Sequence, residues 1–92
     1  MVVDERSLSG RHQILSAYVA VLQEPDRLLA VCASVEGDDD ELRAAVAENF
    51  TLSEIEADAV LRLQVSRFSP AQLRRVRQEL TEVEQRLSEL NP

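Results

Sequence analysis

The sequence contains few cysteines, which could form disulfides, few glycines and prolines, which interrupt helices, and few aromatic residues, which fill a core. Its 92 residues include one cysteine, two glycines, three prolines and no tryptophan, and aromatic residues make up only 3%. A single cysteine excludes an internal disulfide, which argues against a disulfide-stabilised secreted domain. The few aromatics leave the core to be built from leucine, valine, alanine and isoleucine. A chain of this length predicts one small domain, spanning residues 1–92, that gains stability readily by self-association.

Positive charge and long apolar runs are also scarce. Ten basic residues against seventeen acidic ones give a formal charge of -7, so a phosphate backbone would be repelled and we expect no direct binding to nucleic acid. The longest apolar stretch, residues 14–22, is far below membrane-spanning length. Asp4 and Glu5 stand where a signal peptide would need a basic and then an apolar run. We therefore expect a cytoplasmic protein with no membrane segment.

What the sequence does contain is typical of helices throughout. Hydrophobic residues reach 45% and charged residues 29%, and good helix formers dominate between a few clear breaks. The apolar face predicted for the fourth helix includes Leu52, Ile55, Ala59 and Leu63. The first helix is predicted to start between Ser7 and Gly10 and to run to about Glu24, the second to span 26–34 and the third about 40–49. The fourth is predicted to start from a cap at Thr51 or Ser53 and to run through Gln64. After a connection at 65–68, Ser69-Pro70 is predicted to open the last helix.

The last helix carries the most regular pattern in the chain. Its apolar residues alternate spacings of three and four, which is a heptad seam running roughly 30 Å at 1.5 Å per residue. A narrow seam on a long helix favours one partner helix, and the broad apolar face of the first helix predicts an antiparallel pair. The expected fold is all-α, an antiparallel two-helix coiled-coil stalk capped by a knob of three short helices. The seam residues are Leu73, Val76, Leu80, Val83, Leu87 and Leu90.

Residues 50–68 carry a resemblance to a known family. They read FTLSEIEADAVLRLQVSRF, similar to the pattern F-x-L-S-E-I-Q-A-x-A-I-L-x-M-x-L-R-R-L in the A subunit of DNA gyrase and topoisomerase IV, where it precedes the returning arm of a coiled coil. Upstream, Arg11, Ile14 and Leu15, and then residues 26–30, resemble the family's R-A-H-I-L and I-D-x-V-I-A stretches. The resemblance spans roughly residues 11–90, in the family's order.

This resemblance implies a role in protein association rather than catalysis. In the type IIA topoisomerases this region is the exit gate, where two A subunits meet about a two-fold axis, so the resemblance implies a homodimer. Pairing with a gyrase or topoisomerase IV A subunit is a further hypothesis. Nothing in the 92 residues corresponds to the catalytic tyrosine domain, so we expect no strand cleavage, no catalytic residue, no cofactor and no metal. The implied dimer interface consists of Leu61, Leu63, Val65 and Phe68.

Side chains that could carry chemistry have plainer interpretations. Tyr18 lies on an apolar helical face, which favours packing over nucleophilic attack. His12 falls near a seam position and no second histidine or cysteine stands at ligand spacing, so a register-setting or surface role is favoured over metal binding. Cys32 is expected to be a buried apolar thiol. The acidic run 38–41 favours a helix cap over a cation site.

The arginines between residues 62 and 77 form the one basic cluster. Glutamates interleaved at Glu79, Glu82 and Glu84 predict ordinary ion pairing on a helix surface rather than a phosphate track. The arginines of this cluster are Arg62, Arg67, Arg74, Arg75 and Arg77.

Four functional classes stay open at this level. The first is a free-standing exit-gate-like module that homodimerises and modulates a resident A subunit. The second is a remnant or fragment of a topoisomerase A subunit with no independent role. A small helical enzyme with a pocket built by dimerisation, and an acidic nucleic-acid mimic, rank lower. The predicted inward positions are aliphatic, and the carboxylates are spread around the helices among arginines.

Overall fold

The computed structural model describes residues 5–90 and confirms the all-helical prediction. This part of the chain contains no strand, five α-helices and one short 3-10 helix. The helices are α1 (Glu5–Leu22), α2 (Pro25–Ser34), α3 (Asp39–Phe50), α4 (Glu54–Leu61) and α5 (Pro70–Leu90), with the 3-10 helix (Val65–Phe68) between α4 and α5.

Local sequence signals explain where the helices begin. Pro25 occupies the first turn of α2, where its missing N–H has no intrahelical partner to lose. The carboxylate of Asp38 accepts a hydrogen bond from the Glu41 backbone N–H at 3.0 Å and so caps α3. Ser53 and Glu56 form a reciprocal capping box at the start of α4. These caps satisfy backbone donors that the first turn of each helix would otherwise leave unpaired.

Two helices end earlier than the sequence predicts. The first was expected to reach Glu24 but ends at Leu22, because the residue before a proline is pushed out of the helical region, and Glu24 has φ -133° and ψ 61°. The fourth was expected to reach Gln64 but ends at Leu61. Gln64 is extended and residues 65–68 form a 3-10 helix instead of an open connection.

Thr51 ends α3 and does not cap α4. Its φ of 55° and ψ of 53° lie in the left-handed region, and its backbone N–H is bonded to the carbonyl oxygen of Ala47. Thr51 is the one non-glycine residue with positive φ within residues 5–90. A residue of this conformation closes a helix by satisfying its last carbonyls, and glycine usually does so. The cap of α4 is therefore Ser53 alone.

The long helices α1 and α5 lie side by side and run in opposite directions. His12 Nε2 and Glu84 Oε2 are 3.2 Å apart, and Arg77 donates to the Gln23 side-chain oxygen at 2.9 Å, so positions later in α1 meet positions earlier in α5. We call the apolar cluster between them the α1–α5 core. Its buried members are Leu8, Leu15, Leu22, Val76 and Val83.

The short helices α2 and α4 pack against the C-terminal half of α1, and α3 packs on α2 and α4. They form what we call the second core, and Tyr18, Leu63 and Phe68 contact both cores at their junction. The residues described here extend over 46 × 26 × 21 Å, because α1 and α5 project beyond the short helices. The buried members of the second core are Ala17, Val21, Leu28, Val31, Val46, Ala57 and Val60.

Candidate interaction surface

An apolar groove opens where the N-terminal turn of α2 faces the 3-10 helix. Two of its side chains are strongly exposed, Leu29 at 67% and Val65 at 87%. Phe68 also lines the groove, and it contacts both cores. We call this surface the apolar groove, and its lining residues are Pro25, Leu28, Leu29, Val65 and Phe68.

The local backbone explains why these apolar side chains reach the surface. In a 3-10 helix, side chains three residues apart eclipse each other, so Val65 and Phe68 stand on the same face. On α2, Leu28 turns into the second core, and the next residue points about 100° around the helix axis. Leu29 therefore cannot share that burial and projects beside Val65.

The structure brings together only part of the interface predicted from the sequence. Val65 and Phe68 meet in the groove. Leu61 and Leu63 are half-buried against the second core, and Leu61 borders a separate charged pocket beside Arg43. Leu29 was missed, although two adjacent leucines on a short helix were a signal that one of them must face away from the core.

The predicted apolar face of the fourth helix was wrong at Ile55 and extended beyond the helix, since Leu52 and Leu63 lie outside Glu54–Leu61. Ile55 is 72% exposed, whereas Ala57 and Val60 are buried in the second core. The helix begins only at Glu54, so Ile55 lies in its first turn. Ile55 does not line the apolar groove.

The seam residues of α5 differ in burial along the helix. Val76 and Val83 are fully enclosed by leucines of α1, so these two contacts are within one chain. Leu90, the last of the series, is 48% exposed. The remaining members pack at the edge of the α1–α5 core and are partly buried: Leu73, Leu80 and Leu87.

A row of charges joins α3 to α4. Arg43 lies 3.0 Å from Asp40 and 3.5 Å from Asp58, and Asp58 Oδ2 is 3.0 Å from Arg62 Nε. The hydrogen bond to Asp40, supported by both nearby carboxylates, raises the pKa of Arg43 above its ordinary value. The groups are open to solvent, so this row orients the helices more than it stabilises them.

A second, polar pocket lies on the other side of the 3-10 helix. We call it the arginine pocket, and it is lined by Tyr18, Arg62, Leu63, Gln64 and Arg67. Arg67 is half-buried, and its Nε has neither accessible surface nor a hydrogen-bond partner among residues 5–90. The sequence predicted surface ion pairs for the arginine cluster, but among residues 5–90 only Arg62 forms one, with Asp58. Arg67 has none in that range.

The other residues with possible chemistry occupy structural positions. His12 is paired with Glu84, Cys32 packs at the edge of the second core, and Asp38 caps α3. In the part of the chain that is described, no group of three or more histidine, cysteine or carboxylate side chains is placed to hold a metal ion. Over the same residues, no helix combines the length and the apolar character needed to cross a membrane.

Comparison with known proteins does not assign this chain to a family. No protein-family model matches this chain, and no curated protein is significantly similar to it.

Proposed function

We propose that this chain is a non-catalytic module that forms homodimers through the apolar groove, in the manner of the exit gate of type IIA topoisomerase A subunits. The observation that carries the proposal is Val65, which is 87% exposed directly beside Phe68. The resemblance assigns both residues to the dimer interface. Covering such a surface is favourable by about 25 cal/mol for each Å² of apolar area removed from water.

The helix arrangement supports this role. In the proposal α1 and α5 are the two arms of a coiled-coil stalk, and α2, α3 and α4 form the knob at its end. The antiparallel contacts of His12 with Glu84 and of Gln23 with Arg77 are those expected of such a stalk. The groove then lies on the knob, where it is accessible to a second copy.

Two-fold symmetry sets the form of the contact. In a two-fold interface the same patch is used twice, so Val65 of one protomer enters the recess between Leu29 and Phe68 of its partner, and the reverse contact occurs as well. A specific interface usually buries more than about 1,000 Å² in total. The groove is therefore the centre of a larger contact.

The same symmetry allows pairing with a larger relative. A chain that presents an exit-gate surface can take the place of one A subunit in a gyrase or topoisomerase IV dimer. The resulting assembly would pair the gate surface of this chain with the gate surface of a complete A subunit. Modulation of the A subunit is the function that this pairing would serve.

The test is the solution mass by light scattering over a dilution series. We expect the wild-type chain to be a dimer and Val65→Asp to be a monomer, because a carboxylate cannot be buried unpaired in an apolar contact. Ile55→Asp is the matched control, since Ile55 is also exposed but lies outside the groove. A monomeric wild-type chain, or a dimeric Val65→Asp chain, would refute dimerisation through the groove.

A second arm mixes the chain with a gyrase A subunit. A mixed dimer that Val65→Asp abolishes would support modulation. A stable homodimer that never exchanges with the A subunit would remove the regulatory part of the proposal and favour a topoisomerase remnant with no independent role.

A further inference from the structure

Arg67 is a half-buried cation without a counter-ion in the described structure. Its Nε is fully enclosed and has no acceptor within residues 5–90, and no ion pair is formed by the rest of the side chain in that range. An arginine stays charged at any pH at which the protein is folded. Charged groups withdrawn from water are normally paired. The charge of Arg67 is therefore not neutralised by any carboxylate among residues 5–90, and its guanidinium is available to an anion in the pocket that it lines.

The surroundings of Arg67 suit an anion in both charge and size. The arginine pocket holds about 280 Å³, enough for one small group but less than a typical drug-sized ligand requires. Arg62 supplies a second positive charge at its rim, and although its Nε contacts Asp58, 78% of its side chain remains exposed. Tyr18 and Gln64 add a hydroxyl and an amide that can donate hydrogen bonds.

We propose that the arginine pocket is a binding site for an oxyanion, a carboxylate or phosphate group held by the guanidinium of Arg67 with Arg62 beside it. The planar fork of an arginine matches two oxygens of such a group, and a charge-assisted pair is stronger than a neutral hydrogen bond. One chain contains all the lining residues. The site therefore does not depend on the proposed dimer, although a carboxylate of a second copy is one possible source of the anion.

The sequence provides a built-in reporter for this site. The chain has one tyrosine and no tryptophan, so its near-ultraviolet fluorescence comes from Tyr18, which lines the pocket. The experiment titrates the full chain with inorganic phosphate and, separately, with citrate, at an ionic strength held at about 0.15 M with sodium chloride. We expect a saturable change in Tyr18 fluorescence with one or both anions.

Variants assign the signal to the pocket. Arg67→Gln should weaken binding by at least about tenfold, because it removes the charge and the fork. Arg75→Gln is the matched control, since it removes the same charge from an exposed residue of α5 outside the pocket, and it should leave the curve unchanged. Circular dichroism checks that Arg67→Gln is folded. If it is not, Arg62→Gln, which alters an exposed side chain, should weaken binding several-fold.

The arms also identify the source of the anion. Saturation by phosphate alone indicates a phosphate group, and saturation by citrate indicates a carboxylate. A Tyr18 signal that changes only with protein concentration, and is lost in Arg67→Gln, indicates a carboxylate of a second copy. The proposal is overturned by the absence of all three signals, or by equal curves for Arg67→Gln and Arg75→Gln. Because the solution mass is measured separately, either result leaves the dimer test intact.

Discussion

The guanidinium of Arg27 lies over the ring of Phe50, with 4.5 Å between its central carbon and the ring centroid. The same side chain donates to the backbone carbonyl oxygen of Asn49 and is paired with Glu24 at 3.1 Å. Asn49 lies in the last turn of α3, where carbonyl oxygens have no partner within the helix. Arg27 therefore attaches α2 to the end of α3 through stacking, a hydrogen bond and charge.

Arg27→Ala should lower the free energy of unfolding by about 1–2 kcal/mol, since it removes a cation–π contact, the hydrogen bond to Asn49 and the ion pair with Glu24. Thermal and urea unfolding measure the change. Arg27→Lys should recover only part of it, because an ammonium group keeps the charge but not the planar stacking. Equal stability of the alanine variant and wild type would show that the contact contributes nothing.

Leu22→Ala should be among the most damaging single changes, at about 2–5 kcal/mol, because it leaves a cavity in the α1–α5 core. Leu22 is 3% exposed, whereas Leu90, on the partner helix, is 48% exposed. Leu90→Ala is the control and should change stability by less than about 1 kcal/mol. Urea unfolding distinguishes the two, and comparable losses would mean that the end of α5 is covered in solution.

Thr51→Gly should stabilise the chain by about 0.5–1 kcal/mol, because glycine adopts positive φ without the steric cost that a Cβ imposes. Replacing threonine by glycine inside a helix should instead lower the free energy of unfolding. Thr81 is exposed on α5, and Thr81→Gly should lower the free energy of unfolding by roughly 0.3 kcal/mol, because glycine is the poorer helix former. Melting temperatures of the two variants give the comparison, and a destabilised Thr51→Gly chain would contradict the conformational argument.

Leu29→Glu should weaken dimerisation by at least about tenfold, as expected for a residue near the centre of an interface. Glutamate is a good helix former, so α2 should remain folded. Ala30→Glu is the control, because Ala30 is exposed on the same helix but does not line the groove. Light scattering over the dilution series reports the dissociation constants. Equal effects of the two substitutions would place the interface elsewhere on α2.

Local sequence signals predicted the number of helices and where three of them begin. Pro25, Ser53 with Glu56, and Ser69-Pro70 act on the backbone within one turn, so the starts of α2, α4 and α5 could be predicted closely. The spacing of apolar residues likewise indicated which side of α5 would be buried at Val76 and Val83. The ends of the helices were harder to predict, because no equally local sequence signal stops α4 at Leu61.

The candidate sites were decided by tertiary structure. Leu28 and Leu29 are chemically identical neighbours, and only the orientation of α2 against the second core determines which one remains in water. Arg67 could be expected to pair with a glutamate on α5, but the 3-10 helix directs it into a pocket where no carboxylate reaches it within residues 5–90. Sequence by itself determined the elements, because propensity, capping and periodicity are local. The exposed groove and the isolated cation depend on contacts between distant segments, which only the packed chain defines.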